Sequence, residues 1–246
     1  MLRDSVRNIF SVRFLCLWGL LAGASYGENF NVGGTLLGGV YNMVGMGDAN
    51  GPKYFPGEGG LGLALGIDFM IPFSADLSIH TGVMGEFRNF SGHKIEKKAP
   101  ECEGCKVQKW DDDVTVNLVY LEFPVLVRTH ASPTVVLEGG PLLGLNLVSQ
   151  YYGPYKPGDE GGDFNKDWID IGDLTNFVEL GFSANLVLQM NDNVEMSLRL
   201  AYMFTDVLDS DELDYKLMTQ TFKFQGGFTY WFGGGLEIDA VLPTND

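Results

Sequence analysis

Apolar residues recur at every second position in eight separated stretches, at about 29–41, 59–70, 76–90, 114–129, 134–149, 174–190, 193–206 and 218–232. A repeat of two is the repeat of a β-strand, because successive side chains leave the pleat on opposite sides. Helical spacing is scarce by comparison. The pattern predicts an all-β fold.

One face of each predicted strand is dry. It carries Phe30, Val32, Leu36 and Val40, then Leu61, Leu63, Leu65, Ile67 and Phe69, then Leu77, Ile79, Val83 and Phe87. Val119, Leu121, Phe123, Val125 and Val127 follow, then Val135, Leu137, Leu143, Leu145 and Leu147. The last three strands continue it with Val178 to Leu188, Val194 to Phe204 and Phe222 to Phe232. No Asp, Glu, Lys or Arg falls on that face. The opposite face holds Asp68, Glu86, Arg88, Glu122, Arg128, Glu138, Glu179, Glu195, Arg199 and Lys223, joined by Asn146, Ser183, Asn185, Gln189, Ser197 and Gln225.

The connections alternate in length. Those at 71–75, 130–133 and 191–193 are tight, whereas 42–58, 91–113, 150–173 and 207–217 are long and polar. In an even-numbered meander this sorts every long loop to one end. The expected architecture is therefore an eight-stranded antiparallel up-and-down transmembrane β-barrel, with short periplasmic turns and long extracellular loops. A soluble lipocalin-like barrel shares the alternation but buries the dry face. Two features favour lipid on that face. Aromatic residues gather near strand ends as interfacial girdles: Phe30, Phe69, Phe73, Tyr230 and Phe232 at one end, Tyr41, Phe87, Phe204 and Phe222 at the other. The polar face also carries six acids and four bases, which can pair across a narrow lumen. Pro124 is the awkward member, since it cannot donate to a ladder, and a bulge or lapse in pairing is expected there.

The first 27 residues read as a secretory signal peptide: basic Arg3, Arg7 and Arg13, the apolar run 14–24, and small Ser25 and Gly27 before Glu28. An N-terminal anchor helix is the alternative; Cys16 lacks a lipobox. The expected division is leader 1–27, barrel 28–232 and a short tail 233–246. Without Arg3, Arg7, Arg13 and Asp4, the 16 basic and 32 acidic residues become 13 and 31, a net charge of about −18. That excludes nucleic acid as a partner, because phosphates require basic surfaces. Cys102 and Cys105, in "CEGC", are read as a local disulfide in an oxidising compartment, against a zinc half-site or redox pair.

"YLEFPVLVR" (120–128) followed by "GGPLLGLNLV" (139–148) resembles the PorT-type outer-membrane β-barrel domain of Bacteroidetes-like bacteria. The resemblance runs over most of 29–232 and is most distinctive in the fourth and fifth strands. It implies architectural roles for Glu122, Pro124, Gly140 and Pro141, and a secretion-accessory role of the kind some relatives have. "QGGFTYWF" (225–232) resembles the terminal-strand signal read by the barrel-insertion machinery, with Gln225, Gly227, Tyr230 and Phe232 in its spacing. The signal usually ends the chain, whereas fourteen residues follow here.

Catalysis is weighed on three histidines. His80 lies inward near the tight-turn end and His130 in a tight turn. Only His93 lies near the outer rim, within reach of Asp111–Asp113. A solvated loop histidine is the ordinary reading, and no enzyme activity, cofactor or metal site is expected. The acidic loops at 111–113, 159–173 and 209–214 lack EF-hand spacing and read as solvated, sharing divalent ions with lipopolysaccharide. Trp110, Tyr151, Tyr152, Tyr155, Phe164 and Trp168 either bind a surface protein or glycan or pack on the rim. The expectation is a non-enzymatic outer-membrane barrel with a structural, surface-interaction or secretion-accessory role. A small-solute channel and a rim enzyme are the alternatives.

Overall fold

The computed structural model describes residues 31–47, 59–74, 76–98, 108–153, 167–207 and 217–232. Eight long antiparallel strands close into a barrel. They are β1 (Asn31–Gly47), β2 (Gly59–Pro72), β3 (Leu77–Lys98), β4 (Gln108–Ser132), β5 (Val135–Gly153), β7 (Val178–Gln189), β8 (Val194–Met203) and β9 (Leu217–Trp231). A four-residue strand, β6 (Asp167–Asp170), pairs only with the end of β5, and one 3₁₀ turn follows at Gly172–Leu174. The eight long strands pair in sequence order, β5 with β7 past the short β6, and β1 closes on β9 from Gly33↔Trp231 to Gly47↔Leu217. A closed barrel leaves no long strand edge unpaired.

The dry face is outside. Leu36, Val40, Leu61, Leu63, Leu65, Ile67, Phe182, Leu200, Phe224 and Phe228 are all exposed, and the residues between them are buried in the lumen. β2 shows the alternation directly: Leu61, Leu63, Leu65 and Ile67 point out, Ala64 and Asp68 point in. Phe73, Tyr230 and Phe232 are exposed near the tight-turn end, and Phe87, Phe204 and Phe222 toward the other. Tyr41 is a correction. It was expected in the girdle, but it is odd-numbered on a strand whose outward residues are Leu36 and Val40, so it points into the lumen and is 1% exposed. Phe30 lies outside the described residues.

Three connections are tight and capped by side chains. Ser74 Oγ accepts from Leu77 N, Ser132 Oγ accepts from Val135 N, and Asn191 Oδ1 accepts from both Asn193 N and Val194 N. These short polar side chains do the work of a turn backbone. The second turn is only 133–134, so His130 lies within β4 rather than in the turn. The opposite end differs from expectation. The 91–113 connection is mostly strand: β3 and β4 continue as a ribbon from Ser91↔Thr115 to Lys98↔Gln108, past the last β2 partner at Phe90. β1 likewise runs to Gly47 and β5 to Gly153. The expected strand from 174 begins at Val178, because residues 171–177 leave the ladder.

Pro124 sits at a lapse, as its missing N–H requires. The β3–β4 register has no partners for Phe123 and Pro124 between Thr81↔Val125 and Met84↔Glu122. Thr81 Oγ1 donates to the Pro124 carbonyl at 2.7 Å across the gap. Gly140 and Pro141 lie at a second lapse, on the β5 side, and a Cβ on Gly140 would stand 2.1 Å from the Val125 carbonyl. The irregularity overturns one expectation. Phe123, read as outward, is 8% exposed, in an unbroken buried run Glu122–Phe123–Pro124.

Candidate functional site

All ten charged residues expected in the lumen are buried there: Asp68, Glu86, Arg88, Glu122, Arg128, Glu138, Glu179, Glu195, Arg199 and Lys223. They form two ionic layers rather than one continuous network.

The layer nearer the long connections centres on Arg88. Its Nε donates to Glu86 Oε2 at 2.6 Å, Nη1 to Glu179 Oε2 at 2.8 Å, and Nη2 to Glu122 Oε1 at 3.1 Å. One guanidinium thereby gathers carboxylates from β3, β4 and β7, using the planar fork that suits Arg to this task. Its carbon lies 3.8 Å from the centre of the Tyr120 ring, a cation–π contact. Lys223 Nζ, on β9, donates to Glu86 Oε2 at 2.9 Å and to Glu122 Oε1. Tyr41 donates to Glu86 Oε1 at 2.7 Å, and Tyr120 to Glu179 Oε1 at 3.1 Å. Gly62 makes room for this: a Cβ there would lie 2.4 Å from the Tyr41 ring.

The layer nearer the tight turns centres on Arg128. Its Nη1 donates to Glu138 Oε1 at 2.9 Å and Glu195 Oε2 at 3.0 Å, and Nη2 donates to Glu195 Oε1. His80 Nδ1 lies 2.9 Å from Glu138 Oε1, and its Nε2 lies 3.4 Å from Asp68 Oδ2. Thr35 donates to Asp68, and Asn185 Nδ2 to Glu138 Oε2 at 2.8 Å. The edge of His80 meets Trp231, with ring centres 5.8 Å apart.

Apolar groups separate and cap the layers. Leu37, Ala64 and Met84 form one small cluster, and Leu142, Ala201 and Met203 another. Toward the long connections the lumen is sealed by Met43, Phe90, Val116, Leu118, Tyr151, Ile171 and Val207 packed on Tyr41 and Tyr120. Tyr151, one of the supposed loop aromatics, is thus lumenal and 1% exposed. Arg199 is the exception among the cations. Among the described residues it has no carboxylate partner; Nη1 approaches Met84 Sδ at 3.8 Å, and Nε has no partner. It lines a cavity of about 10 Å³ beside Asp68, His80 and Ser197, room for about one water.

Burial costs each ion several kcal/mol of hydration, recovered only where the geometry supplies close opposite charge and satisfied hydrogen bonds. Arg88 meets that demand with all three of its nitrogens; Arg128 meets it through Nη1 and Nη2, while its Nε has no partner among the described residues. The arrangement ties opposite walls together and fills the lumen. Among the described residues no group of three or more His, Cys, Asp or Glu side chains is placed to hold a metal ion.

The remaining expected site residues fall elsewhere. Gln225 is lumenal and donates to Tyr41 Oη at 2.5 Å and Glu86 Oε1 at 3.3 Å; Tyr230 and Phe232 are exposed on the outer face. A Cβ on Gly227 would meet the Leu36 carbonyl at 2.0 Å, so β1 packs too closely there for any side chain. His93 lies on β3 with its Cα opposite Asp113. Cys102, Cys105, Tyr155, Phe164 and the tail 233–246 lie outside the described residues. Sequence reasoning missed Tyr41 and Thr35 as members of the lumen. Their parity on β1 was the available signal.

No protein-family model matches the chain, and no curated protein matches it. Among solved structures it is similar to Neisserial surface protein A, with 12% identity over 82% of this chain and 96% of that one, TM-score 0.43. It is also similar to Ail of Yersinia pestis, solved in complex with the heparin analogue sucrose octasulfate, with 12% identity over 82% and 99%, TM-score 0.41. A third is the outer membrane protease OmpT of Escherichia coli, with 10% identity over 84% and 99%, TM-score 0.38. The fold itself rests on the strand order and register described above.

Proposed function

We propose that this chain is an integral outer-membrane barrel of PorT type, without enzymatic activity, that anchors and displays its long connections outside the cell. One observation carries the reading: the barrel is inverted, with a continuous apolar exterior and a lumen closed by buried ion pairs. Water on that exterior would leave most of the large apolar side chains of eight strands hydrated, far beyond the patch a soluble monomer tolerates. Hydrocarbon removes the conflict. The apolar belt of β2, from Leu61 to Phe69, is eight residue steps, about 27 Å along the strand and about 21 Å along the axis at a tilt of about 40°, close to the height of an outer-membrane barrel's belt.

The long connections face outward in this reading, as they do in such barrels, and the leader supplies export. The acidic connections contact lipopolysaccharide, surface polymers or a partner protein, and the insertion machinery reads β9. The filled lumen favours an anchor over a channel. The test has two parts. After outer-membrane fractionation, unheated protein is expected to migrate apart from boiled protein on a detergent gel. In planar bilayers the same folded protein is expected to give no conductance steps; stable unitary steps would make it a channel instead.

A further inference from the structure

We propose that the barrel wall carries a binding notch for one pyranose ring of a membrane glycolipid, between β5 and the segment that joins β6 to β7. The inference rests on the outward placement of the long connections proposed above. The register creates the space. β5 pairs with β7 as far as Leu145↔Val178 and with β6 from Gln150↔Asp170, so 146–149 face the longer stretch 171–177. The surplus turns at Gly172–Leu174, with Ile171 and Leu174 packed on the lumenal cluster, and borders a recess of about 190 Å³. Its ends are pinned by Asn146 N donating to the Phe177 carbonyl at 2.8 Å and Ile171 N donating to the Ser149 carbonyl at 3.0 Å.

The lining fits a sugar. Leu147 and Val148 give an apolar wall and Asp170 and Asp173 give carboxylates, while Ser149 and Thr175 close the inner side, buried and bonded to each other at 2.9 Å. Leu147 and Val148 are 56% and 43% exposed, so the recess opens on the outside of the barrel. Next along the same face is the pair Tyr152↔Trp168, with ring centres 5.2 Å apart and Trp168 47% exposed. Gln150 continues the row, opposite Asn117 on β4. A pyranose has an apolar C–H face and a rim of hydroxyls. An exposed aromatic face, amides and carboxylates are the groups that recognise those two features together. The lining contains no Lys or Arg, which disfavours a phosphate. Depth fits as well. The apolar exterior ends at Val148 and polar groups begin at Gln150, the level of a headgroup.

The experiment uses the full chain folded in phosphatidylcholine nanodiscs. Retention of a fluorescent monoglucosyl diacylglycerol is compared with phosphatidylglycerol of the same acyl chains, and free methyl glucoside serves as competitor. Wild type is expected to prefer the glucosyl lipid. Trp168→Ala and Gln150→Ala are each expected to weaken that preference about tenfold, and Phe204→Ala on β8 to retain it. Competition by methyl glucoside without a lipid preference keeps the ring as ligand and assigns it to a soluble sugar. Equal retention of both lipids without sugar competition overturns the notch, as does an unchanged preference in both variants. Each variant is first checked for the gel-mobility shift. A chain that neither shifts nor inserts sinks the membrane reading itself, a separate result from failure of the notch.

Discussion

Replacing Arg88 by methionine tests whether the lumen is held by its ionic layer. The side chain is wholly buried and makes three charge-assisted hydrogen bonds, at 2.6, 2.8 and 3.1 Å, together with its stack on Tyr120. Bonds of this type contribute about 1.5–3 kcal/mol apiece, but their sum overstates the effect. Lys223 still bonds Glu86 and Glu122 in the variant but carries charge enough for only one of them, so two negative charges go uncompensated, and Glu179 is left with only the Tyr120 hydroxyl. Removing one partner of a buried pair costs about 3–5 kcal/mol, and that range is expected for Arg88→Met. Glu179→Gln keeps a partner for Arg88 and loses only charge, so about 1–2 kcal/mol is expected. The double variant Arg88→Met, Glu179→Gln should recover part of the single loss, because the orphaned carboxylate is gone. Urea titration of protein folded in detergent micelles, read by tryptophan fluorescence and the folded band on a gel, gives all three values. A loss below about 1 kcal/mol for Arg88→Met, or a double variant no better than the single one, would refute the reasoning.

Other expectations follow from the outer face and the close contacts. Leu65→Arg, near the middle of the apolar belt, should destabilise the barrel in lipid by about 2–4 kcal/mol, and Phe73→Arg at its edge by about 0–1 kcal/mol; equal effects in vesicle unfolding would deny that the belt meets hydrocarbon. Gly62→Ala places a Cβ 2.6 Å from the Phe87 carbonyl and against the Tyr41 ring, so about 1–3 kcal/mol of overpacking is expected, seen as a lowered urea midpoint. Gly38→Ala is the control, since its nearest neighbours lie 3.9 Å away, and its midpoint should stay within experimental error.

The sequence made the strands legible because alternation is a local property, written residue by residue. The same parity placed every charge in the lumen. It did not say which acid meets which base. Glu86 and Lys223 are neighbours only because the chain closes on itself, since they stand 137 positions apart. Tyr41 shows the limit from another side. Its place in the order of residues was enough to turn it inward, yet its aromatic character suggested an interface. Phe123 failed for the opposite reason: alternation is a rule for regular pairing, and Pro124 interrupts the pairing there. The break at 171–177 was invisible because a strand leaving its ladder keeps ordinary composition. The long β3–β4 ribbon escaped because Lys, Glu and Asp at 94–98 and 111–113 read as loop, although paired strands beyond a membrane surface are free to be polar.

The Arg88 layer also sets an order of assembly. Lys223 and Gln225 arrive on β9, the last strand made, yet they complete partners that β3 and β4 have already supplied. Until β9 docks on β1, Glu86 and Glu122 share a single guanidinium in a half-built channel open to water. Closure and the arrival of the second cation are thus one event: before β9 docks, the layer lacks both the seam and the lysine that bonds Glu86 and Glu122.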